Sequence, residues 1–252
     1  MENSNLTKKI YSQYYKNLHS PIGGDERFLW INNVLLKNIE DKCILDVGSG
    51  EGSLLKMLQD KNNKVFGIEA SETGQLACRE KGVACSSIDI SREKFPYPDS
   101  NFDIVLCLEV MEHLENPYHC LCEINRVLKD KGLFITSIPN PKMLHPYIYP
   151  GLFTVNNFKN FLELNSFKIT KITGWGQIAM FNKASRWLKS KNNTWAKSFA
   201  GFIHYLSRKR NAFLRNHLKT PLGYSHAINF VCINYKTNKT ILEKLAEETI
   251  PE

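Results

Sequence analysis

A long hydrophobic run is the first thing that this sequence lacks. No uninterrupted apolar stretch approaches the roughly 18 residues that a membrane-spanning helix needs. The opening residues, MENSNLTKKIYSQYY, also lack the apolar core of a secretory signal, because polar groups alternate with tyrosines there. Both absences argue against a helical membrane protein or an exported one, and we expect a cytoplasmic protein.

Evenly paired cysteines are lacking as well. The chain has seven cysteines, and several of them fall inside apolar strand patterns, where reduced cysteine behaves as a small hydrophobe. We therefore expect no disulfide framework. Only His119, Cys120 and Cys122 suggest a metal. Helical spacing points the two cysteines to different faces and no second ligand pair follows, so we predict no metal site.

Acidic residues are missing from one long stretch. Residues 164–242 contain 14 Lys and Arg and no Asp or Glu, whereas residues 1–163 contain 18 basic and 21 acidic residues. The net charge of +8 therefore comes from one region. Such asymmetry indicates an anionic partner for that part of the chain.

Short apolar runs and helical patterns alternate along the sequence. This order predicts an α/β fold, a Rossmann-like, doubly wound and mostly parallel seven-stranded sheet with helices on both faces. Ligands of such sheets bind at the carboxyl ends of the strands. The predicted strands span 42–47, 64–68, 83–88, 102–108, 132–138, 167–174 and 226–235, and the clearest helices span 25–39, 53–58, 118–128 and 154–164.

The last two predicted strands are separated by about fifty residues, which is too long for a loop. We interpret residues 177–224 as a basic helical insertion before the last strand, within a single domain over 1–252. From Trp195 to Leu206 its apolar residues recur at helical spacing, with basic residues around them. Such a helix is typical either of a membrane interface with anionic lipid or of a cap packed on the domain.

A glycine-rich turn follows the first strand. Gly48, Gly50 and Gly52 stand at alternate positions after Asp46, where they let the backbone turn sharply and let a ligand approach closely. The alternative is a tight strand-to-helix turn without a ligand. A dinucleotide turn, G-x-G-x-x-G, would need glycine where the chain has Ser53, which argues against an NAD-dependent oxidoreductase.

The run D-x-G-x-G-x-G over residues 46–52 resembles motif I of class I S-adenosylmethionine-dependent methyltransferases. Further motifs of that family follow in order. Residues 95–103 resemble its "lP-f-xxxxFD" run, 108–114 its "xxE-V-xEH" segment, 126–132 its "RvLkpGG" stretch, 138–141 its "vPN" stretch, and 153–167 its "fT…ll…GF" signature. The resemblance covers roughly residues 40–175 and is closest to the type-11/type-12 branch, with its quinone-biosynthesis-like and MetW-like members.

This resemblance implies a methyltransferase that uses S-adenosyl-L-methionine. Glu69 would hold the ribose hydroxyls, and Asp89 and Ile90 would meet the adenine. Tyr11 and Tyr15 resemble a segment that covers the cofactor in relatives, so residues 1–40 would form a helical lid; the alternative is a packing role on the core. The complete cofactor set implied is Asp46, Gly48, Ser49, Gly50, Gly52, Glu69, Ala70, Asp89, Ile90, Leu108, Glu109, Tyr11 and Tyr15.

Methyl transfer to a hydroxyl or amine is helped by a base. The candidates that follow the fourth and fifth strands are Glu112, His113 and His145. For Glu112 and His113 the alternative is a satisfied network at a helix start, and for His145 it is an exposed loop position. We expect these groups near the transferred methyl group.

The acceptor is expected to be a small molecule, a glycan or a lipid-linked compound methylated on oxygen, with residues 177–224 capping its site or touching an anionic membrane. An RNA methyltransferase would also use a basic patch. However, the Asn-Pro-Pro-aromatic signature of amino-methylating relatives is missing after the fourth strand, where Leu108 to Met111 stand, so a nucleic acid is not expected. A MetW-like partner protein that binds the cofactor without catalysis stays open.

Overall fold

The computed structural model describes residues 24–141, 147–176 and 225–236. Within these residues a seven-stranded sheet has the order β3-β2-β1-β4-β5-β7-β6. All neighbouring pairs are parallel except those of β7, which runs antiparallel to β5 and to β6. The strands are β1 Cys43–Val47, β2 Lys64–Ile68, β3 Ala84–Ser86, β4 Phe102–Leu108, β5 Leu128–Pro139, β6 Phe167–Trp175 and β7 Ala227–Asn234.

Helices cover both faces of the sheet, because the strands are apolar on each side. One core cluster joins β1 and β4 to the helix Ser53–Gln59 and to the turn that follows the first helix, through side chains such as Ile31, Leu55 and Leu106. The other joins the opposite face to α4 and α5 through Leu121, Phe158 and Phe230. The helices are α1 Gly24–Trp30, α2 Ser53–Gln59, α3 Glu72–Glu80, α4 Pro117–Val127 and α5 Val155–Leu164.

The predicted doubly wound, seven-stranded sheet is confirmed, and the elements differ from prediction mainly at their ends. The first helix continues as a π-helical turn, Ile31–Leu35, and ends before position 39 because Leu36 leaves helical geometry. Strand β3 stops at Ser86, and the chain turns at Asp89, whose side chain accepts a hydrogen bond from the Ser91 N–H at 3.0 Å. No helix within the described residues is long and apolar enough to cross a membrane.

The segments that contain the candidate site residues lie at one edge of the sheet. The carboxyl ends of β1, β2, β4 and β5 lie together because these strands are parallel, and ligands of such sheets bind there. Strand β7 begins at the same edge, since Ala227 pairs with Pro139 of β5 and with Trp175 at the end of β6. The carboxyl edge therefore has a side formed by β1 to β3 and a side formed by β5, β7 and β6.

Candidate functional site

The glycine turn after β1 has a backbone conformation that favours glycine. Gly48, Gly50 and Gly52 all have positive φ angles, of 77°, 54° and 70°. The N–H groups of Gly48 and Ser49 both donate to the carbonyl of Ile68, at 2.8 and 3.0 Å, which fastens the turn to the end of β2. A Cβ at Gly50 would meet no atom within 4 Å, so the turn leaves open space where a ligand can approach the backbone.

The side chain of Glu69 is hydrogen-bonded to the backbone of this turn. Its Oε2 accepts a hydrogen bond from the Gly50 N–H at 2.9 Å, and its Oε1 accepts one from the Ser71 N–H at 2.8 Å. The residue is 5% exposed, so two backbone groups fix its carboxylate in place. Each carboxylate oxygen has a second lone pair, so both can still accept from a pair of ligand hydroxyls. Ala70 follows it at an exposed position beside the turn.

Asp46 lies at the end of β1 and is also 5% exposed. Burial, with a smaller contribution from the nearby Glu69, raises the pKa of this carboxyl to about 7, although Arg27 acts in the opposite direction. Buried carboxyls resist ionisation because the charged form loses its water. A cationic ligand group next to Asp46 would favour the charged form.

The segment after β3 brings the two predicted adenine contacts to the same edge. Asp89 lies in a turn in which its N–H donates to Glu93 Oε1 at 2.6 Å, and Ile90 is 9% exposed. Helix α4 holds the following segment. Glu123 accepts from the Phe95 N–H at 2.7 Å, and Arg126 donates to the carbonyls of Phe95 and Tyr97 and to Asp99.

Arg126 belongs to a motif that the sequence analysis identified, but the hydrogen bonds by which Glu123 and Arg126 hold residues 95–99 were not predicted. Glu123 and Arg126 are three residues apart and so lie on one face of α4. That spacing of opposite charges was the available signal, but it does not say which segment the pair holds.

Glu109 follows β4 in an unusual conformation, with φ of 57°. Its N–H donates to the carbonyl of Ser137 at 3.1 Å, and its Oε2 lies 3.3 Å from Nη1 of Arg27. The other terminal nitrogen of Arg27 donates to the hydroxyl of Ser137. Leu108 precedes this site at the last position of β4.

Sequence reasoning did not find Arg27. The side chain comes from α1 and is 11% exposed, so a guanidinium lies buried over the carboxyl ends of β4 and β5. Its signal was weak: Arg27 stands four residues before Ile31, on the face of the helix that becomes buried.

Glu112 lies in a short 3₁₀ helix, Met111–His113, and is fully buried. Burial raises the pKa of its carboxyl well above the usual range, and Glu109 adds to this effect. A buried carboxyl with a raised pKa resists ionisation, and only its ionised form accepts a proton; the predicted role of Glu112 as a base stays a prediction. The backbone carbonyl of Glu112 accepts from the Ile148 N–H at 3.1 Å, so this turn also holds the segment after position 146.

His113 stays close to the surface, with 21% of its side chain exposed, and its Nε2 lies 3.8 Å from Oε1 of Glu112. Tyr147 packs nearby and donates to the carbonyl of Pro139 at 3.1 Å. Burial raises the pKa of Tyr147 to about 12, and Glu112 and Glu109 contribute to this increase. Tyr147 is therefore a neutral hydroxyl and not a base.

Some predicted residues cannot be placed. Tyr11, Tyr15, His145 and the insertion 177–224 lie outside the described residues, as does most of the predicted lid over 1–40. Where the structure describes the chain, no group of three or more His, Cys, Asp or Glu side chains is arranged to hold a metal. Cys120 is buried, and His119 contacts the backbone carbonyl of Glu93 at 3.1 Å.

Comparison with known proteins gives a family for the middle of the chain. The family described as "Methyltransferase domain" matches residues 45–136, which include the glycine turn, Glu69, Asp89 and Glu112. A relative from Mycolicibacterium smegmatis, named "Probable S-adenosylmethionine-dependent methyltransferase", is 26% identical over 145 residues, covering 56% of this chain and 55% of the relative. A relative from Pseudomonas paraeruginosa, named "Ubiquinone biosynthesis O-methyltransferase", is 32% identical over 123 residues, covering 46% of this chain and 52% of the relative.

The fold is shared more widely than the sequence. A crystal structure described as a SAM-dependent methyltransferase from Archaeoglobus fulgidus aligns with a TM-score of 0.58 at 17% identity, covering 83% of this chain and 94% of that one. The chain spans little more than half the length of the two sequence relatives. The sequence matches therefore concern the part of the chain that forms the sheet and its carboxyl edge, and not the remainder.

Proposed function

Since residues 45–136 are a methyltransferase domain of the class I, S-adenosylmethionine-dependent kind, we propose that this chain transfers a methyl group from that cofactor to an acceptor oxygen. The predicted fold and cofactor are confirmed by the family match and the relatives. The observation that carries the proposal is the Glu69 carboxylate, fixed by the N–H groups of Gly50 and Ser71 beneath an open glycine turn. The carboxylate oxygens can accept hydrogen bonds from the hydroxyls of a ribose, and the space beside the Gly50 backbone is open to the rest of the ligand.

The residues present fit S-adenosylmethionine, which supplies a methyl group on a sulfonium leaving group. The open space in front of Gly50 would let the cofactor approach the backbone, and the fixed Glu69 carboxylate would accept hydrogen bonds from the ribose hydroxyls. Asp46 offers a buried carboxylate to a cationic group, and the segment at Asp89 and Ile90 borders the adenine position. With such a leaving group in place, the protein mainly positions the two partners and excludes water.

Of the three predicted bases, His113 is the one we retain among the described residues. Its imidazole is partly exposed at the exit of β4, whereas the Glu112 carboxyl is buried and resists ionisation. We propose that His113 takes the proton from an acceptor hydroxyl as the methyl group is transferred. His145 stays a prediction.

The chain enters and leaves the basic insertion at the side of the carboxyl edge formed by β5, β7 and β6. The His226 N–H donates to the carbonyl of Trp175 at 2.8 Å, so the chain leaves and re-enters the sheet at neighbouring points on the carboxyl edge. Residues 177–224 between them contain ten Lys and Arg and no Asp or Glu. We propose that this insertion faces the acceptor and attracts an anionic or lipid-linked compound at a membrane surface. The name of the Pseudomonas relative supports oxygen as the methylated atom.

Calorimetric titration with S-adenosylmethionine tests the cofactor site. We expect Glu69→Ala to weaken binding at least ~10-fold, because a charge-assisted hydrogen bond contributes about 1.5–3 kcal/mol and the ribose loses its partner. Glu72→Ala is the matched control, since Glu72 is an exposed carboxylate in the first turn of α3, and should bind like the wild type. Equal affinities for all three proteins would reject the proposed site. Tyr11→Phe, titrated alongside, tests the lid, which requires weaker binding in that variant.

Flotation with vesicles tests the membrane proposal. We expect the protein to float with phosphatidylglycerol vesicles at low salt, to dissociate at high salt, and to ignore neutral phosphatidylcholine vesicles, because each basic residue near an anionic surface contributes about 1 kcal/mol. Replacing Arg208, Lys209 and Arg210 with Gln should reduce flotation, whereas replacing Lys56, Lys81 and Lys159, outside the insertion, should not. Absence of flotation at low salt would leave the methyltransferase proposal standing and remove the membrane surface.

A further inference from the structure

Polar side chains line one face of β5, β7 and β6 at the carboxyl edge. Ser137 pairs with Asn229, and Asn229 pairs with Thr173, so these three residues stand side by side in the sheet. Trp175 stands two positions beyond Thr173 and therefore points to the same face. We call Ser137, Asn229, Thr173 and Trp175 the polar row. Its position next to the exit of β4 puts it beside the proposed cofactor site.

Two members of the polar row have unpaired polar atoms. Asn229 is fully buried; its Nδ2 donates to the carbonyl of Thr173 at 3.3 Å, but its Oδ1 has no hydrogen-bond partner within the described part of the chain. The buried Nε1 of Trp175 likewise has no acceptor there. Leaving a buried polar atom unpaired costs about 1–3 kcal/mol, so native proteins usually satisfy such atoms with a water or a ligand.

A second unpaired donor and acceptor lie next to the polar row. Arg27 reaches the row through its hydrogen bond to the Ser137 hydroxyl, and it pairs with Glu109. Nε of Arg27 and Oε1 of Glu109 are nevertheless buried without partners among the described residues. Directly opposed residues on antiparallel strands have Cβ atoms about 4.5–5.5 Å apart, so Ser137 links Arg27 closely to Asn229.

The chemistry of these atoms selects a ligand class. Each of the two pairs, Asn229 with Trp175 and Arg27 with Glu109, offers one acceptor and one donor. A hydroxyl group is both a donor and an acceptor, so it satisfies such a pair alone. Two pairs that are connected through Ser137 match two hydroxyls on one molecule, which a sugar or another polyol provides and a simple phenol does not.

We propose that the polar row binds a polyol part of the methyl acceptor, with one hydroxyl donating to Oδ1 of Asn229 and accepting from Nε1 of Trp175. The inference rests on the proposed function, because it takes the bound compound to be the acceptor. The row is shielded from bulk water, which suits a transfer reaction that must avoid hydrolysis. A sugar seated there would present its remaining hydroxyls towards the exit of β4.

The experiment uses the indole N–H signal of Trp175 in ¹⁵N-tryptophan-labelled protein, assigned by its loss in Trp175→Phe. Probes are methyl glucoside and myo-inositol at millimolar concentration, with cyclohexanol and phenol as single-hydroxyl controls. We expect the polyols to move the signal saturably and the controls to leave it in place. Asn229→Leu should remove the polyol response, whereas Thr136→Val should keep it, because Thr136 lies on the opposite face of β5.

A second measurement guards against misfolding of the Asn229 variant. Saturation transfer from protein to polyol is measured for the wild type and for Trp175→Phe, and we expect at least a ~5-fold loss of polyol affinity, since a hydrogen bond of about 1 kcal/mol is removed. A polyol response that survives Asn229→Leu, or no response in the wild type, means that waters occupy these atoms and overturns the proposal. Equal responses to phenol overturn the polyol class. Cofactor binding to the same wild-type sample decides the proposed function separately.

Discussion

On the side of the carboxyl edge formed by β1 to β3, the Glu69 carboxylate is held by two backbone N–H groups, whereas on the side formed by β5, β7 and β6 the Asn229 oxygen has no partner among the described residues. We call these the donor side and the acceptor side. The donor side is organised by backbone groups that are complete without a ligand. The acceptor side is organised by separate side chains that leave donors and acceptors open. The first kind of site suits a cofactor that many related proteins bind, and the second kind suits one particular acceptor.

The largest effect is expected from closing the glycine turn on the donor side. A Cβ at Gly48 would lie 2.3 Å from Cγ2 of Val110, and the φ angle of 77° already disfavours a side chain. Valine is stiff about χ1, so it cannot move away easily. We expect Gly48→Ala to lose S-adenosylmethionine affinity by at least ~100-fold and to unfold more easily by about 3 kcal/mol.

Gly82→Ala is the matched control for this substitution. Gly82 has a similar φ of 71°, but a Cβ there would meet no atom within 4 Å, so the variant contains the backbone strain without the collision. Its cofactor affinity, measured by calorimetry, should equal that of the wild type, with a loss of about 1 kcal/mol in the free energy of unfolding. If the two variants bind the cofactor equally, the turn is not the donor site.

An intermediate effect is expected on the pH dependence of the free energy of unfolding, to which Asp46 on the donor side contributes. The pKa of about 7 is above the value of the unfolded chain, so the carboxyl contributes stability at low pH, and this contribution is lost as the pH rises through 7. Between pH 5 and 8 we expect the free energy of unfolding to fall by about 2–3 kcal/mol from this group. Asp46→Asn should remove that slope in denaturant titrations.

Cofactor binding should show the opposite sign. A cationic ligand stabilises ionised Asp46, so the wild type should bind S-adenosylmethionine more tightly above pH 7 than below it. Asp60→Asn is the control, because Asp60 is an exposed aspartate whose side chain is 62% accessible. A slope that persists in Asp46→Asn and vanishes in Asp60→Asn would assign the proton to another group.

The smallest effect is expected from an unpaired atom that has no part in the site. Thr136 is fully buried, its hydroxyl has no partner among the described residues, and it points into the core on the face opposite the polar row. Thr136→Val keeps the shape and removes the hydroxyl, so thermal unfolding should show unchanged or higher stability, by up to about 1 kcal/mol. Cofactor affinity should not change. A large destabilisation would mean that the unpaired atoms on β5 are satisfied after all and would weaken the contrast between the two sides.

The donor side was largely predictable from sequence because its signals are short-range. The turn at Gly48 to Gly52 lies within a few residues of β1, and Glu69 follows β2 directly, so a motif captures both. The doubly wound sheet also follows from the alternation of strands and helices, whereas the place of antiparallel β7 between β5 and β6 does not. Element ends were less certain, since local turns such as that at Asp89 decide where β3 stops.

The acceptor side could not be predicted in the same way. Arg27 and Ser137 are 110 residues apart, and Ser137 meets Asn229 only through the antiparallel pairing of β5 with β7. A single polar residue in an apolar strand carries no periodic signal. The burial of Glu112 was also not predictable, because its position after β4 does not reveal that the side chain is enclosed; its role as a base stays a prediction.

The pairing of Trp175 with Ala227 has a consequence for how this protein can change. Both ends of the intervening segment are clamped on adjacent strands, so its length hardly affects the entropy of closing it; doubling a flexible loop costs only about 0.6 kcal/mol. Insertions and deletions between these two residues leave the register of the sheet intact. The junction is therefore a natural place to graft a different segment, and a designer could exchange the residues between Trp175 and Ala227 while keeping the glycine turn untouched.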